Sequence, residues 1–308
     1  MLRYAVLRLI GAIPTLLVIA TLAFVLLHTV PGGPFDTQKH LEPEIKKSIE
    51  AKYHLDESLP RQYLRYLAQL AHGDLGPSYQ YRGTSVNELI AAGFPVDAAI
   101  GGAAIALALL VGGTLGIAAA VQRNSRWDFL LMGFAMAGIS IPVFVIAPIL
   151  ILVFAIRLQW LPPGDWVSGS LSHLLLPAIA LAAPYTAAVA RLMRGSMLEV
   201  LNSAFIRTAR AKGLATGTIV LRHALRPALL PLVSYLGPAI AGVITGSIVI
   251  ETVFGLPGIG RYFTTGALNR DYTLVLGVTI LYGALIILCN LCVDLVYALL
   301  DPRLRYRR

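Results

Sequence analysis

An all-α integral membrane protein with six spanning helices is the fold this sequence predicts, and three observations predict it. Of 308 residues, 57% are hydrophobic and only 13% charged, about half the charge of a typical soluble domain. Mean hydropathy is +0.73. The charges are also gathered into blocks, which leaves charge-free runs at 9–35, 98–122, 129–156, 166–190, 227–250 and 272–293. About 20 apolar residues cross a bilayer core as a helix, and every run is longer than that. None alternates as a barrel strand would, and lipid offers no partners to an open backbone. A single transmembrane domain, 1–308, is expected, with helices at about 9–30, 98–121, 129–156, 171–190, 228–250 and 273–293.

The first run follows Arg3 and Arg8, as a secretory signal would, but Leu9–Val30 is longer than a signal core and no small-x-small site follows it. A retained first helix is expected. It ends at "HTVPGGPFD", where Pro31, Gly32, Gly33 and Pro34 break it. Residues 31–94 read as an extracytoplasmic segment, too small for a catalytic domain and suited to a cap or docking surface. Within it, "PRQYLRYLAQL" sets Tyr63, Leu64, Leu67 and Leu70 at helical spacing. "HGDLGPS" and "YRGTS" are turn-rich connections.

The second helix is built from small residues, and its Gly112-x-x-x-Gly116 allows close helix approach. The third carries Pro142 and Pro148, with Trp127, Trp160 and Trp166 near the expected interfaces. Pro177 and Pro184 mark the fourth, and Pro231 and Pro238 the fifth, which also holds Gly242-x-x-x-Gly246. Such prolines kink a helix where neighbours satisfy the freed carbonyls. "ETVFGLPGIGRYFTTGALNRDYT" is too polar to span, so an outer loop with a short helix is expected there.

Net charge is +9, but its distribution argues against nucleic acid. Taken alternately from the N-terminus, one set of connecting segments holds 15 Lys or Arg and the other 10, seven of those ten in the long segment at 36–94. Short loops decide topology. They place both termini and the 191–227 loop in the cytoplasm.

Catalytic equipment is missing. No zinc signature, nucleophile elbow or phosphate-binding loop occurs, and "GLPGIG" has the wrong glycine order. The six histidines are scattered, no metal ligand set is identified, and Cys289-x-x-Cys292 lies in an apolar run as two buried free thiols. The chain is read as non-enzymatic, with no cofactor of its own. A gradient-driven carrier would place a costly charge at mid-membrane. None lies there; Asp97, Glu251 and Asp294 sit at run ends, where snorkelling is easy. A pathway would instead be lined by Ser140, Tyr185, Tyr235, Thr245, Ser247 and Asn290, and its energy must come from elsewhere.

The densest basic stretch points to the source. "FIRTARAKGLATGTIVLRHALRPALLP", residues 205–231, contains no acid. "MLEVLNSAFIRTARAKG" reads as one cytoplasmic helix closed by Gly213, with Arg210 and Lys212 complementing its dipole. Thr216 or Thr218 would cap a second helix running into the fifth span. Phe205, Ile206, Ala209, Leu214 and Ile219 provide apolar surface for a partner, and the cations hold the hairpin near anionic lipid or an acidic rim.

The spacing Ala209-x-x-x-Gly213, in a basic loop before the penultimate span, resembles the EAA loop of ABC-importer permeases. In that family the loop is the coupling helix that docks on the ATP-binding subunit. The family pattern opens Glu-Ala-Ala and closes Ile-x-Leu-Pro; here Arg207, Thr208 and Ala209 stand first, His223, Leu225 and Arg226 stand near the end, and Pro227 is one place late. The peptide-importer branch is more similar, in "AKYHLD", "GDLGPS", "FIRTARAKG", "RHALRPALLP", "ETVFGLPGIG", "GALNRDY", "AIPTLL" and "DPRLRY". Within it the chain is similar to the B-type permease subunit of oligopeptide importers. The resemblance implies a type I ABC-importer permease architecture in a bacterial inner membrane. It implies a homologous permease partner, two cytoplasmic ATP-binding subunits carrying ATP and Mg, and an extracytoplasmic peptide-binding protein. Arg207, Ala209, Arg210, Gly213 and Leu214 are then the coupling residues. Dipeptide, nickel and glutathione permeases of the same superfamily are the alternatives.

Overall fold

The computed structural model describes residues 2–35, 43–245 and 248–300. Among them the regular structure is helical, apart from one antiparallel bridge between Pro77 and Ser85. The helices are α1 (Leu2–Thr29), α2 (Pro43–Lys52) and α3 (Leu59–Ala71). Next come α4 (Val86–Val121), α5 (Arg126–Ser140), α6 (Val143–Arg157), α7 (Leu171–Leu201) and α8 (Ala204–Ala211). The chain continues as α9 (Thr216–Ala228), α10 (Leu230–Thr245), α11 (Ile248–Phe254), α12 (Ile259–Leu268) and α13 (Tyr272–Leu300).

Four helices, α1, α4, α7 and α13, are long and apolar enough to cross a bilayer unaided, and the number is up to six when each of two bent pairs, α5–α6 and α9–α10, counts as one span. The predicted third span is therefore not one rod. Ile141 and Pro142 interrupt it and the two halves meet at 102°, because Pro142 has no N–H to continue the ladder and restricts the residue before it. Pro177 and Pro184 leave α7 unbroken. The predicted second span begins 12 residues earlier than the charge pattern suggests, at Val86. Asp97 is consequently well inside a helix and only 6% exposed; Glu251, in α11, is 2% exposed. Both are enclosed rather than snorkelling, contrary to the reading of the charge-free runs.

The chain divides into two compact units. Residues 96–256 and the chain from 286 form one of them. Its centre is α7, against which neighbours pack through glycine. A Cβ at Gly112 would stand 2.6 Å from the Thr186 carbonyl oxygen, at Gly116 2.5 Å from that of Ala190, and at Gly138 2.4 Å from that of Ala183. Only hydrogen fits there, so α4 and α5 reach the α7 backbone. One buried cluster joins Ala108, Val189, Met193, Met197 and Ile206 to Ile219, Val220 and Leu232. Another joins Val96, Ile100, Leu176, Leu181 and Val243 to Ile250 and Phe254.

Residues 2–95 and 257–285 form the second unit. α1 buries Ala20 and Phe24 while exposing Leu9, Ile10, Ile13, Leu17 and Leu22, the surface a lipid-facing helix presents. α3 is amphipathic, and Tyr63 shares a 2.6 Å hydrogen bond with Thr21. Leu64 points away from that face and is exposed, since it lies one residue, or about 100°, round the helix from Tyr63. Phe35, Tyr79 and Tyr272, the first residue of α13, make an aromatic cluster. Beside it the buried Asp271 accepts at Oδ2 from the Ser78 hydroxyl, from Tyr79 N (3.0 Å) and from Gln80 N (3.1 Å). Its Oδ1 caps α13 through Leu274 N at 3.2 Å.

Candidate functional site

The basic hairpin lies in the α7-centred unit. α7 ends at Asn202 and Ser203, where Ser203 Oγ donates to the Val200 carbonyl at 2.6 Å and diverts the chain from the helical path. The single helix expected over 197–213 is thus two, α7 and α8, because Asn and Ser offer the backbone local alternatives to helix. α8 turns Ile206 and Ala209 into the buried cluster and leaves Phe205, Arg207 and Arg210 outside.

Its end is a Schellman turn. Gly213 N donates to Arg210 O at 2.9 Å and Leu214 N to Ala209 O at 3.3 Å, with Gly213 at φ +77°. That pairing is the one a left-handed glycine after a helix permits. Leu214, 38% exposed, follows it onto the surface, and Phe205 on α8 is 51% exposed. The next helix starts without a side-chain cap. Ala215 occupies the cap position, and Thr216 and Thr218 lie inside α9, so the threonine cap expected from sequence is absent. Instead α9 is anchored by burial of Ile219, Val220, Ala224 and Ala228 in the cluster that holds Ile206 and Ala209. A break of 52° at Leu229 then leads into α10.

Of the residues singled out for coupling, Arg207, Arg210, Gly213 and Leu214 share the exposed surface, and Ala209 forms the base on which they stand. Next to the hairpin's root is a pair that sequence reasoning missed. Arg194 clasps Asp128 with both ends, Nε to Oδ1 and Nη2 to Oδ2, each at 2.7 Å. Asp128 also accepts from Asn124 N at 3.0 Å, and Ser125 caps α5 through Asp128 N. A bidentate guanidinium–carboxylate contact fixes orientation as well as distance, here between α5 and α7. The separation of 66 residues hides it from any local pattern.

The polar residues proposed for a pathway are only partly gathered. Tyr185 and Tyr235 pack on one cluster, and the Tyr185 hydroxyl would stand 3.4 Å from a Cβ at Gly242. Asn290 lies against Gly237, also on α10. Ser140 and Thr245 instead turn their hydroxyls back to the carbonyls of Met136 (3.0 Å) and Ala241 (2.7 Å) on their own helices. Ser247 lies outside the described residues.

The hairpin is thus rooted in the α7-centred unit and carries an exposed apolar and basic face. Comparison with known proteins identifies the class. The family described as "binding-protein-dependent transport system inner membrane component" matches residues 112–306, and its companion N-terminal model matches 1–98. The chain belongs to this family. It is a transport component of an inner membrane and not an enzyme. The oligopeptide transport system permease protein OppB of Salmonella typhimurium is 56% identical over 306 residues, covering 99% of this chain and 100% of that protein. OppB of Escherichia coli K12 is 55% identical with the same coverage. The dipeptide transport system permease protein DppB of Bacillus subtilis is 43% identical over 308 residues, 100% of this chain and 99% of that protein. Among solved structures, the inward-facing MetNI methionine ABC transporter matches with TM-score 0.56 and 18% identity, over 69% of this chain and 96% of that one. That likeness speaks for the fold, a type I importer permease.

Proposed function

We propose that this inner-membrane transport component is the permease subunit of an ATP-driven, binding-protein-dependent importer of oligopeptides. It supplies half of a translocation pathway, the other half coming from a homologous permease. Two cytoplasmic ATP-binding subunits, holding ATP and Mg, dock on residues 204–214, and a peptide-binding protein delivers cargo from outside. Both termini and the 191–227 loop lie in the cytoplasm, following the excess of short basic segments on that side. Oligopeptides are favoured over dipeptides by the relatives: the OppB proteins are 55–56% identical and DppB 43%.

One observation carries the coupling role: α8 exposes Phe205, Arg207, Arg210 and Leu214 while its other face shares a buried cluster with α7 and α9. Closure of the ATPases would push this rigid knob, and α9 would pass the displacement through the break at Leu229 into α10, beside Tyr185 and Tyr235. Hydrolysis would reset it.

Gly213→Val tests the reading. A Cβ there meets nothing within 4 Å, so the variant costs only the backbone strain of a β-branched residue at positive φ, about 1–2 kcal/mol. The expected result is an assembled complex that still hydrolyses ATP while peptide uptake into proteoliposomes falls at least tenfold. Undiminished uptake would remove the hairpin from the coupling route. A gentle detergent pull-down from native membranes, with retained proteins identified by mass, tests the partners. A second permease and two ATPase copies are expected, and a lone chain that moves solute without ATP would overturn the importer reading.

A further inference from the structure

A cavity of about 220 Å³ opens where the ends of α4 and α7 meet the last turn of α8 and the start of α9. Its apolar lining includes Leu201 and Val220; its polar lining is Arg123, Asn202, Arg210 and Thr216. These four side chains make no hydrogen bond or ion pair with any described residue. No carboxylate lines the space. Of the buried acids on neighbouring helices, Asp128 on α5 has both oxygens taken by Arg194, and Asp97 lies 24 residues before the end of α4, outside the lining. Glu199, on α7, is exposed and outside the lining. Two guanidinium groups, an amide and a hydroxyl therefore face a small space with an apolar floor. Val121 ends both α4 and the predicted span 98–121, so on that placement the space lies near the lipid headgroups.

We propose that this cavity binds the phosphate of an anionic phospholipid, with the adjoining acyl chain against Leu201 and Val220. Guanidinium groups suit phosphate because they offer paired N–H donors in one plane and shed water readily, and basic pockets at the ends of spans are where acidic headgroups lodge. Arg210 belongs to α8 and Arg123 follows α4, so one bound headgroup ties α8 to the end of a spanning helix. Lipid composition would then set how firmly α8 is held. The inference rests on the membrane placement of the chain and not on the ATPase partners, so failure of the pull-down leaves it standing.

The test is native mass spectrometry of the full chain, purified in detergent and titrated with phosphatidylglycerol or zwitterionic phosphatidylcholine. One tightly retained phosphatidylglycerol is expected, favoured severalfold over phosphatidylcholine. Arg123→Gln, an exposed change that leaves the hairpin's own packing intact, should reduce the preference about fivefold, the effect of about one cation at a lipid surface. Arg123→Lys should retain most of it. Arg222→Gln removes the same charge from α9 outside the cavity and should change nothing. Equal loss in Arg222→Gln would reduce the effect to diffuse charge and overturn the site. So would displacement of the lipid by millimolar inorganic phosphate, which would mark a free-anion site. Loss of the lipid whenever ATPase subunits co-purify would assign the cavity to protein docking instead.

Discussion

The two units of this chain are held together by different cements. In the unit built on α7, backbones meet directly: Gly112, Gly116 and Gly138 let helices touch at the carbonyls of Thr186, Ala190 and Ala183. In the other unit, the segment outside the spans is tied by polar contacts, with Asp271 gathering Ser78, Tyr79, Gln80 and Leu274. Solvent explains the difference. Lipid tails are as apolar as leucine, so burying apolar surface does little to join helices in a bilayer, and close packing has to do it. Outside the bilayer, the 14-residue turn-rich connection between α3 and α4 touches a spanning helix at the start of α13, through Leu75 and Pro77. A buried carboxylate that accepts several donors gives it one conformation, provided every donor is answered.

The largest expected effect comes from cutting the polar knot. Asp271→Ala leaves the buried N–H groups of Tyr79 and Leu274, the half-buried one of Gln80 and the Ser78 hydroxyl without their acceptor, at about 1–3 kcal/mol for each that water does not reach. A loss of more than about 3 kcal/mol is expected, read as a large drop in unfolding temperature of the detergent-solubilised chain and rapid proteolysis within 72–85. Asp271→Asn keeps the volume and one acceptor oxygen, and should lose less. If Asp271→Ala melts like the parent, the polar knot is not what orders this segment.

Overfilling the glycine contacts comes next. Gly116→Val forces a side chain against the Ala190 carbonyl and Met193 and should cost about 1–3 kcal/mol. Gly113, three positions before it, has nothing within 4 Å of a Cβ. Gly113→Ala should therefore be neutral, or stabilise by up to about 1 kcal/mol through better helix propensity. Equal effects at the two positions would mean that helix propensity, and not close approach, decides stability here.

The smallest effect is at Tyr66 on α3, whose hydroxyl is buried without a hydrogen-bond partner among the described residues. Burial pushes its ionisation up to about 12, against about 10 in an unfolded chain. The raised value means that folding favours the neutral phenol. Its contribution to stability is complete below pH 10 and is lost as pH climbs from 10 to 12. Tyr66→Phe should match or slightly exceed the parent at neutral pH and flatten that alkaline decline, as followed by thermal unfolding across pH. An unchanged alkaline profile would place the titrating group elsewhere.

Much of this was legible from residues alone. Runs without charge pointed to the long apolar helices α1, α4, α7 and α13, because a charge at mid-membrane is costly. Gly112 and Gly116 announced a close contact, and Gly213 announced a left-handed turn, since in each case only the absence of a Cβ is required. The failures share a cause. Pro142 was visible, but a proline does not state its angle, and 102° depends on what packs against both halves. Thr216 and Thr218 looked like caps, yet α9 starts one residue earlier, because burial of Ile219 and Val220 outweighs a single capping hydrogen bond. Asp97 and Glu251 looked like run ends until the helices were seen to extend past them.

By itself, then, the sequence determined what each segment is: apolar helix, polar connection, basic hairpin. These are decided by solvation and backbone preference within a few turns of chain. Only the tertiary structure decided which segments are joined. Arg194 finds Asp128 across 66 residues, and Asp271 reaches Ser78 across 193. Such pairings carry no local signature, because their strength arises only once folding has stripped water from both partners.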